Sequence, residues 1–140
     1  MKLFLDTNVL LDVLIPGREY NWFSSALMQV FKSGSIKACI STQSIIDASY
    51  VFSRCRKDEG LSSFKTMVDK LLSFIEIVSI TDDDLREAGK SSVPDYEDAC
   101  QLAAAMRIGC DGIVTSDGKF HNYTRLQVCT PQVLFDLIFE

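Results

Sequence analysis

Five aspartates offer the chemistry in this chain. Asp6 follows the apolar run Leu3-Phe4-Leu5. Asp47 lies among Ile45, Ile46 and Ala48. Asp95 and Asp98 open an alanine-rich stretch, and Asp117 follows Ile113-Val114-Thr115-Ser116. Each alone has an ordinary structural explanation. Asp is a favoured helix N-cap, which suits Asp6 and Asp95. Asp95-Tyr96-Glu97-Asp98 resembles a capping box, with its acids placed to favour the helix dipole. Asp117-Gly118 is a common turn pair. Asp47 fits least well, because Asp is a mediocre former of helix interiors and an unpaired buried carboxylate is costly. Its structural explanation is an ion pair with Arg54, further along the same helix.

Collected in one place, Asp6, Asp47, Asp98 and Asp117 raise one another's pKa and oppose folding. A divalent cation removes that penalty. An all-oxygen donor set favours Mg²⁺ or Mn²⁺, ions that activate water and stabilise charge on a phosphoryl group. Zinc is disfavoured: His121 is the single histidine, and Cys39, Cys55, Cys100, Cys110 and Cys129 contain no CxxC pair. An odd cysteine count without metal spacing reads as reduced, mostly buried thiols.

The elements that must position these acids follow from hydrophobic spacing and its punctuation. Lys2 to Leu5 reads as a short buried strand, followed by a helix from Asn8 to Ile15 that Pro16-Gly17 closes. Trp22, Phe23, Ala26, Leu27, Val30 and Phe31 recur at helical spacing within Asn21 to Lys32. Ile36 to Ile40 is a second strand, and Ser41-Thr42 caps a helix from Gln43 to about Arg56. Leu61 to Phe74 is helical, Ile75 to Ile80 is a strand, and Thr81 or Asp82 caps an acidic helix reaching about Lys90. Tyr96 to Ile108 is a strong helix. Gly112 to Thr115 and Leu126 to Cys129 are short strands flanking a polar loop, and Pro131 opens a last helix to about Ile138. Alternating strands and helices indicate an α/β domain with a mainly parallel sheet. Ligands bind such sheets beyond the carboxyl ends of the strands, which is where these acids fall.

Composition sets the bounds. At 140 residues the chain suits a single domain spanning 1–140, and with 47% hydrophobic residues it has enough apolar material for a core. No run approaches the ~20 apolar residues of a membrane span, and the N-terminus lacks the features of a signal peptide. The expected location is the cytoplasm. A formal charge of −5 argues against nonspecific binding to a phosphate backbone, which usually needs a basic surface.

The same residues resemble the PIN-domain family of metal-dependent ribonucleases. Phe4-Leu5-Asp6-Thr7-Asn8-Val9-Leu10-Leu11-Asp12 is similar to the family's opening motif. Asp95-Tyr96-Glu97-Asp98-Ala99 through Ala103-Ala104-Ala105 is similar to its third acidic motif, and Ile113-Val114-Thr115-Ser116-Asp117 with Phe120 to its fourth. The resemblance implies a Rossmann-like three-layer α/β/α fold. It also implies an acid cluster that binds Mg²⁺ or Mn²⁺ and hydrolyses RNA. By position, Asp6, Asp98 and Asp117 match the metal-site acids. Asn8 and Thr115 match their supporting polar residues, and Asp95 is a further contributor. The family's second acid is usually Glu, and Asp47 stands in its place with a reach shorter by roughly 1.5 Å. Many small members are toxins of toxin–antitoxin pairs and homodimers, which implies a small antitoxin partner and a second copy.

Two other readings compete. A phosphatase of the haloacid-dehalogenase type also places Asp after its first strand, but it needs a second Asp two residues later, where this chain has Asn8. A catalytically weak RNA- or protein-binding module on the same fold is expected to lose acids that this chain keeps. Lys119 and Arg125, in the loop beyond Asp117, are the expected substrate contacts, against the alternative of solvated surface charge. Arg54, Arg56 and Lys57 form a second basic patch. Trp22, Phe23, Phe31 and Phe52 are expected in the core, or else lining a partner groove.

Overall fold

A computed structural model describes residues 1–117 and 124–140. Five strands, β1 (Lys2–Leu5), β2 (Lys37–Ser41), β3 (Ile75–Val78), β4 (Gly112–Val114) and β5 (Gln127–Cys129), form one sheet in the order β3-β2-β1-β4-β5. All four pairings are parallel. Helices α1 (Thr7–Leu14), α2 (Asn21–Ser33), α3 (Thr42–Cys55), α4 (Gly60–Leu72), α5 (Asp82–Lys90), α6 (Tyr96–Arg107) and α7 (Pro131–Ile138) connect or follow the strands.

Side-chain alternation along β1 sends Leu3 and Leu5 to one face and Phe4 to the other. The first face packs against Val9, Leu10, Leu27, Phe31, Ala48, Phe52, Phe64 and Leu134, from α1, α2, α3, α4 and α7. The second packs against Leu102, Ala104 and Ala105 of α6, with Ile80 and Val93 at its margin. The result is the three-layer α/β/α sandwich expected from the sequence, with both faces of a parallel sheet covered. Gly112 lets β4 sit close between its neighbours: a Cβ there would lie 2.9 Å from the Gln127 carbonyl oxygen and 3.2 Å from Leu3 Cδ2.

Several boundaries differ from the expected ones by a residue or two. The first helix begins at Thr7, because Asp6 accepts from the Thr7 amide and caps it. The fourth helix ends at Leu72 and the third strand at Val78. Cys39, Cys100 and Cys110 are buried thiols, Cys129 is half-buried and Cys55 exposed. Among the described residues no helix is long and apolar enough to cross a membrane.

The strand order fixes where a ligand can bind. From β1 the chain moves outward through β2 to β3, then returns to lay β4 on the other side of β1. Such a reversal opens a crevice at the carboxyl ends of the two central strands.

Candidate functional site

The crevice at β1 and β4 is a cleft of about 610 Å³. It is lined by Asp6, Thr7, Asn8, Asp47, Asp95, Glu97, Asp98 and Asp117, with Leu11, Ile46, Tyr50 and Val51 as its apolar wall. The structure therefore brings together all five aspartates singled out in the sequence, and Asn8 with them. It adds a sixth acid, Glu97. Among the described residues, none that lines the cleft is basic. The acids ring the cleft rather than meeting at one point: no three carboxyl, imidazole or thiol groups of the described residues form a compact metal cluster.

Asp6 and Asp117 are tied to the sheet. The β1–β4 ladder pairs Leu5 with Val114 and runs one residue further, through a 3.0 Å bond from the Asp6 amide to the Val114 carbonyl. That register sets Thr115 beside Asp6. Its hydroxyl donates to Asp6 Oδ2 at 2.8 Å and accepts from the Asp117 amide at 3.0 Å. Thr115 is buried, as is Asp6, so a single hydroxyl orients one acid and the backbone of another. Asp6 also caps α1, as its structural explanation expected.

Asp95 and Asp98 come from the start of α6. Asp95 caps the helix by accepting from the Asp98 amide at 2.9 Å. Glu97 and Asp98 occupy the first turn, where the helix dipole favours negative charge. Asp47 projects from α3 and accepts from Gln43 Nε2 at 2.9 Å. The Arg54 partner expected for it is engaged elsewhere, its guanidinium lying over the Tyr50 ring at 4.7 Å. The Glu97 carboxyl lies close to the Asp47 carboxyl of α3. Partial burial, the Asp47 carboxyl, and Asp95 and Asp6 behind it push Glu97 up to about 7.

A buried polar knot adjoins these acids. Gln101 Nε2 donates to Ser44 Oγ at 2.8 Å and to Thr7 Oγ1 at 3.3 Å. The Thr7 and Ser44 hydroxyls meet at 2.7 Å, and Ser41 Oγ donates to Ser44 Oγ at 3.2 Å.

Sequence reasoning missed Glu97 and Gln101. Glu97 reads as an ordinary first-turn acid, and Gln101 as a helix former in an alanine-rich run. The one available signal was helical spacing, which sets Gln101 one turn beyond Asp98. Of the two expected substrate contacts, Lys119 lies outside the described residues. Arg125 is exposed just before β5 and does not line the cleft. Phe31 and Phe52 are core residues, whereas Trp22 is 63% exposed. The Trp22 ring meets Phe23 and Phe135 edge-on, both at 5.1 Å between centroids.

The donor chemistry suits a hard divalent cation. Six carboxyl groups, with no imidazole, thiol or cationic side chain among the described lining residues, match the ligand preferences of Mg²⁺ and Mn²⁺.

Comparison with known proteins finds relatives in sequence and in fold. The chain is 25% identical over 126 residues to Ribonuclease VapC1 of Aquifex aeolicus, covering 86% of this chain and 85% of that protein. Its fold is similar to VapBC2 of Rickettsia felis, solved bound to a DNA fragment from its promoter. That likeness has a TM-score of 0.71 at 16% identity and covers 93% of this chain and 98% of the other. It is also similar to Mycobacterium tuberculosis VapC20, a toxin that cleaves the sarcin-ricin loop. Here the TM-score is 0.69 at 15% identity, over 89% of this chain and 98% of that one. The PIN domain description matches residues 2–119, which takes in four of the five strands and every acid of the cleft. On that extent of agreement, the chain belongs to the PIN domain family.

Proposed function

We propose that residues 1–140 act as one nuclease domain that hydrolyses RNA phosphodiesters with the help of Mg²⁺ or Mn²⁺. The observation behind this reading is the cleft itself: six carboxyls at the β1/β4 crossover, with no basic side chain among the described lining residues. Asp6, Asp98 and Asp117 are the residues that would hold the cation, with Asp47 assisting from α3. When bound, such an ion lowers the pKa of water and offsets charge on a phosphoryl group.

The chain's own contributions can be derived from its contacts. Thr115 keeps one Asp6 oxygen engaged by its hydroxyl, which fixes the rotation of that carboxylate. The N-termini of α1 and α6 both face the cleft, and their dipoles favour anions there. Leu11, Ile46 and Val51 give the cleft one apolar side. The exposed Tyr50 ring at the rim offers a face for stacking a base of single-stranded RNA, and Lys119 and Arg125 are the basic residues that would meet the strand. The phosphatase alternative is not favoured, because Asn8 lines the cleft where that chemistry needs an acid.

The names of the relatives support the ribonuclease and toxin reading; a small antitoxin partner and a homodimer are proposed with it. Trp22, Leu137 and Phe139, each more than half exposed, supply apolar surface of the kind that partners cover. The test of the activity is direct. Labelled structured RNAs incubated with the purified chain are cut in Mg²⁺ or Mn²⁺ and left intact in EDTA. Cutting that persists in EDTA, or its absence with every metal from folded protein, overturns the proposal. Light scattering of the purified protein reports the dimer, and co-purification of a small neighbouring gene product reports the antitoxin.

A further inference from the structure

The knot formed by Gln101, Thr7, Ser44 and Ser41 joins elements that the sheet alone does not hold together. Helices α1 and α3 pack on one face of the sheet and α6 on the other. Gln101, 2% exposed, reaches from α6 across the carboxyl edge of the strands to Ser44 of α3 at 2.8 Å and Thr7 of α1 at 3.3 Å. Three of its four members lie within three residues of an acid. Thr7 follows Asp6, Ser44 precedes Asp47 by three residues, and Gln101 follows Asp98 by three. Residues three apart share a helix face, so a shift at the knot is a shift at the acid.

The knot is a poor device for stability. Gln101 Oε1 is buried with no donor among the described residues, and an acceptor in that state destabilises the fold. The Thr7 and Ser44 hydroxyls already bond each other at 2.7 Å and do not need the amide. An apolar residue at position 101 would fill the space without an unmet acceptor. What the amide adds is a directional link between layers.

We propose that Gln101 is a positioning residue: its amide sets the separation of Asp98 from Asp6 and Asp47, and thereby the affinity of the cleft for a divalent cation. The inference rests on the metal-site reading above.

Mn²⁺ alone is the probe. Its binding to the full chain is measured by calorimetry and by the electron paramagnetic resonance signal of the bound ion. The proteins compared are wild type, Gln101→Leu, Gln101→Met, Ser44→Ala and the double variant Gln101→Leu/Ser44→Ala. Both Gln101 variants are expected to melt within a few degrees of wild type in EDTA. They should bind Mn²⁺ about tenfold more weakly, the lower end of the range for groups that orient metal ligands, with an altered resonance line shape. Because Gln101 acts through Ser44, the double variant should bind no more weakly than Gln101→Leu. If Gln101→Leu fails to fold, Gln101→Met, unbranched and of similar length, decides the matter. Wild-type affinity and line shape in a folded Gln101 variant overturn the inference and leave the metal site standing, as do additive losses in the double variant. A wild-type chain that binds no Mn²⁺ overturns the metal site and the inference together.

Discussion

Replacing Thr115 with valine removes one buried hydroxyl from behind Asp6 and little else. Valine keeps the branched shape, so the pocket left by the side chain stays filled. What disappears is the 2.8 Å bond to Asp6 Oδ2 and the acceptor of the Asp117 amide at 3.0 Å. A hydrogen bond to a charged group contributes about 1.5–3 kcal/mol, and both residues here are buried, so water cannot readily take its place. A loss of about 2 kcal/mol is therefore expected in metal-free protein. With an unfolding entropy of about 2.1 cal/mol/K per residue and 140 residues, that loss lowers the melting temperature by about 7 °C. The assay is a circular-dichroism melt in EDTA at neutral pH, with Thr115→Ser as the control that keeps the hydroxyl. Serine should melt closer to wild type than valine does. A valine variant that melts within about 1 °C of wild type refutes the claim that this hydroxyl holds Asp6.

Glu97 makes the metal-free fold sensitive to pH. Its carboxyl stands at about 7 in the folded chain against an ordinary 4.5, so the folded state holds more protons than the unfolded chain between those values. Stability is thus fully present below the lower value and declines as pH rises through the upper one. In EDTA, Glu97→Gln should lose less melting temperature than wild type over that window, and identical pH profiles would contradict the placement of Glu97 beside Asp47. Asp84 behaves oppositely. Burial works against its charge, but the bonds from Arg107 at 2.9 and 3.0 Å and from the Thr81 amide outweigh it and hold the carboxyl below its ordinary range. That contribution is present above the ordinary carboxylate pKa and is lost as pH falls through the folded value. Arg107→Met strands the buried Asp84 and should cost about 3 kcal/mol, seen in a urea melt. It should leave RNA cleavage unchanged wherever the variant is folded, because this pair does not line the cleft.

The frame of this fold was legible in the sequence because its signals are local. Leu3, Phe4 and Leu5 run into Asp6, Ser41 caps α3, Pro131 opens α7, and each needs only its neighbours to be read. The acids fell at strand ends for the same reason: in a parallel sheet, chain position largely dictates which edge a residue occupies. What stayed hidden depends on packing between layers. Glu97 faces Asp47 only because α6 comes to rest opposite α3 across the strand edge, and nothing in the residues around position 97 records that. Gln101 is separated by 57 residues from Ser44 and by 94 from Thr7. The expected pairing of Asp47 with Arg54 gave way to cation–π contact with Tyr50, an exposed alternative that helical spacing permits equally well. Trp22 was expected among core aromatics, and its exposure shows that helical periodicity gives a face without saying what covers it.

If Asp6 and its neighbours make this cleft a metal-dependent ribonuclease site, the charge on Asp6 is indispensable to cleavage. Asp6→Asn tests it most directly, because asparagine caps a helix as well as aspartate does and can still accept from Thr115, so the fold survives while one negative charge goes. Cleavage of labelled structured RNA by wild type and Asp6→Asn, in Mn²⁺ and at matched folded concentrations, is the measurement. Wild type is expected to cut and the variant is not. Equal cutting by a folded Asp6→Asn would contradict this.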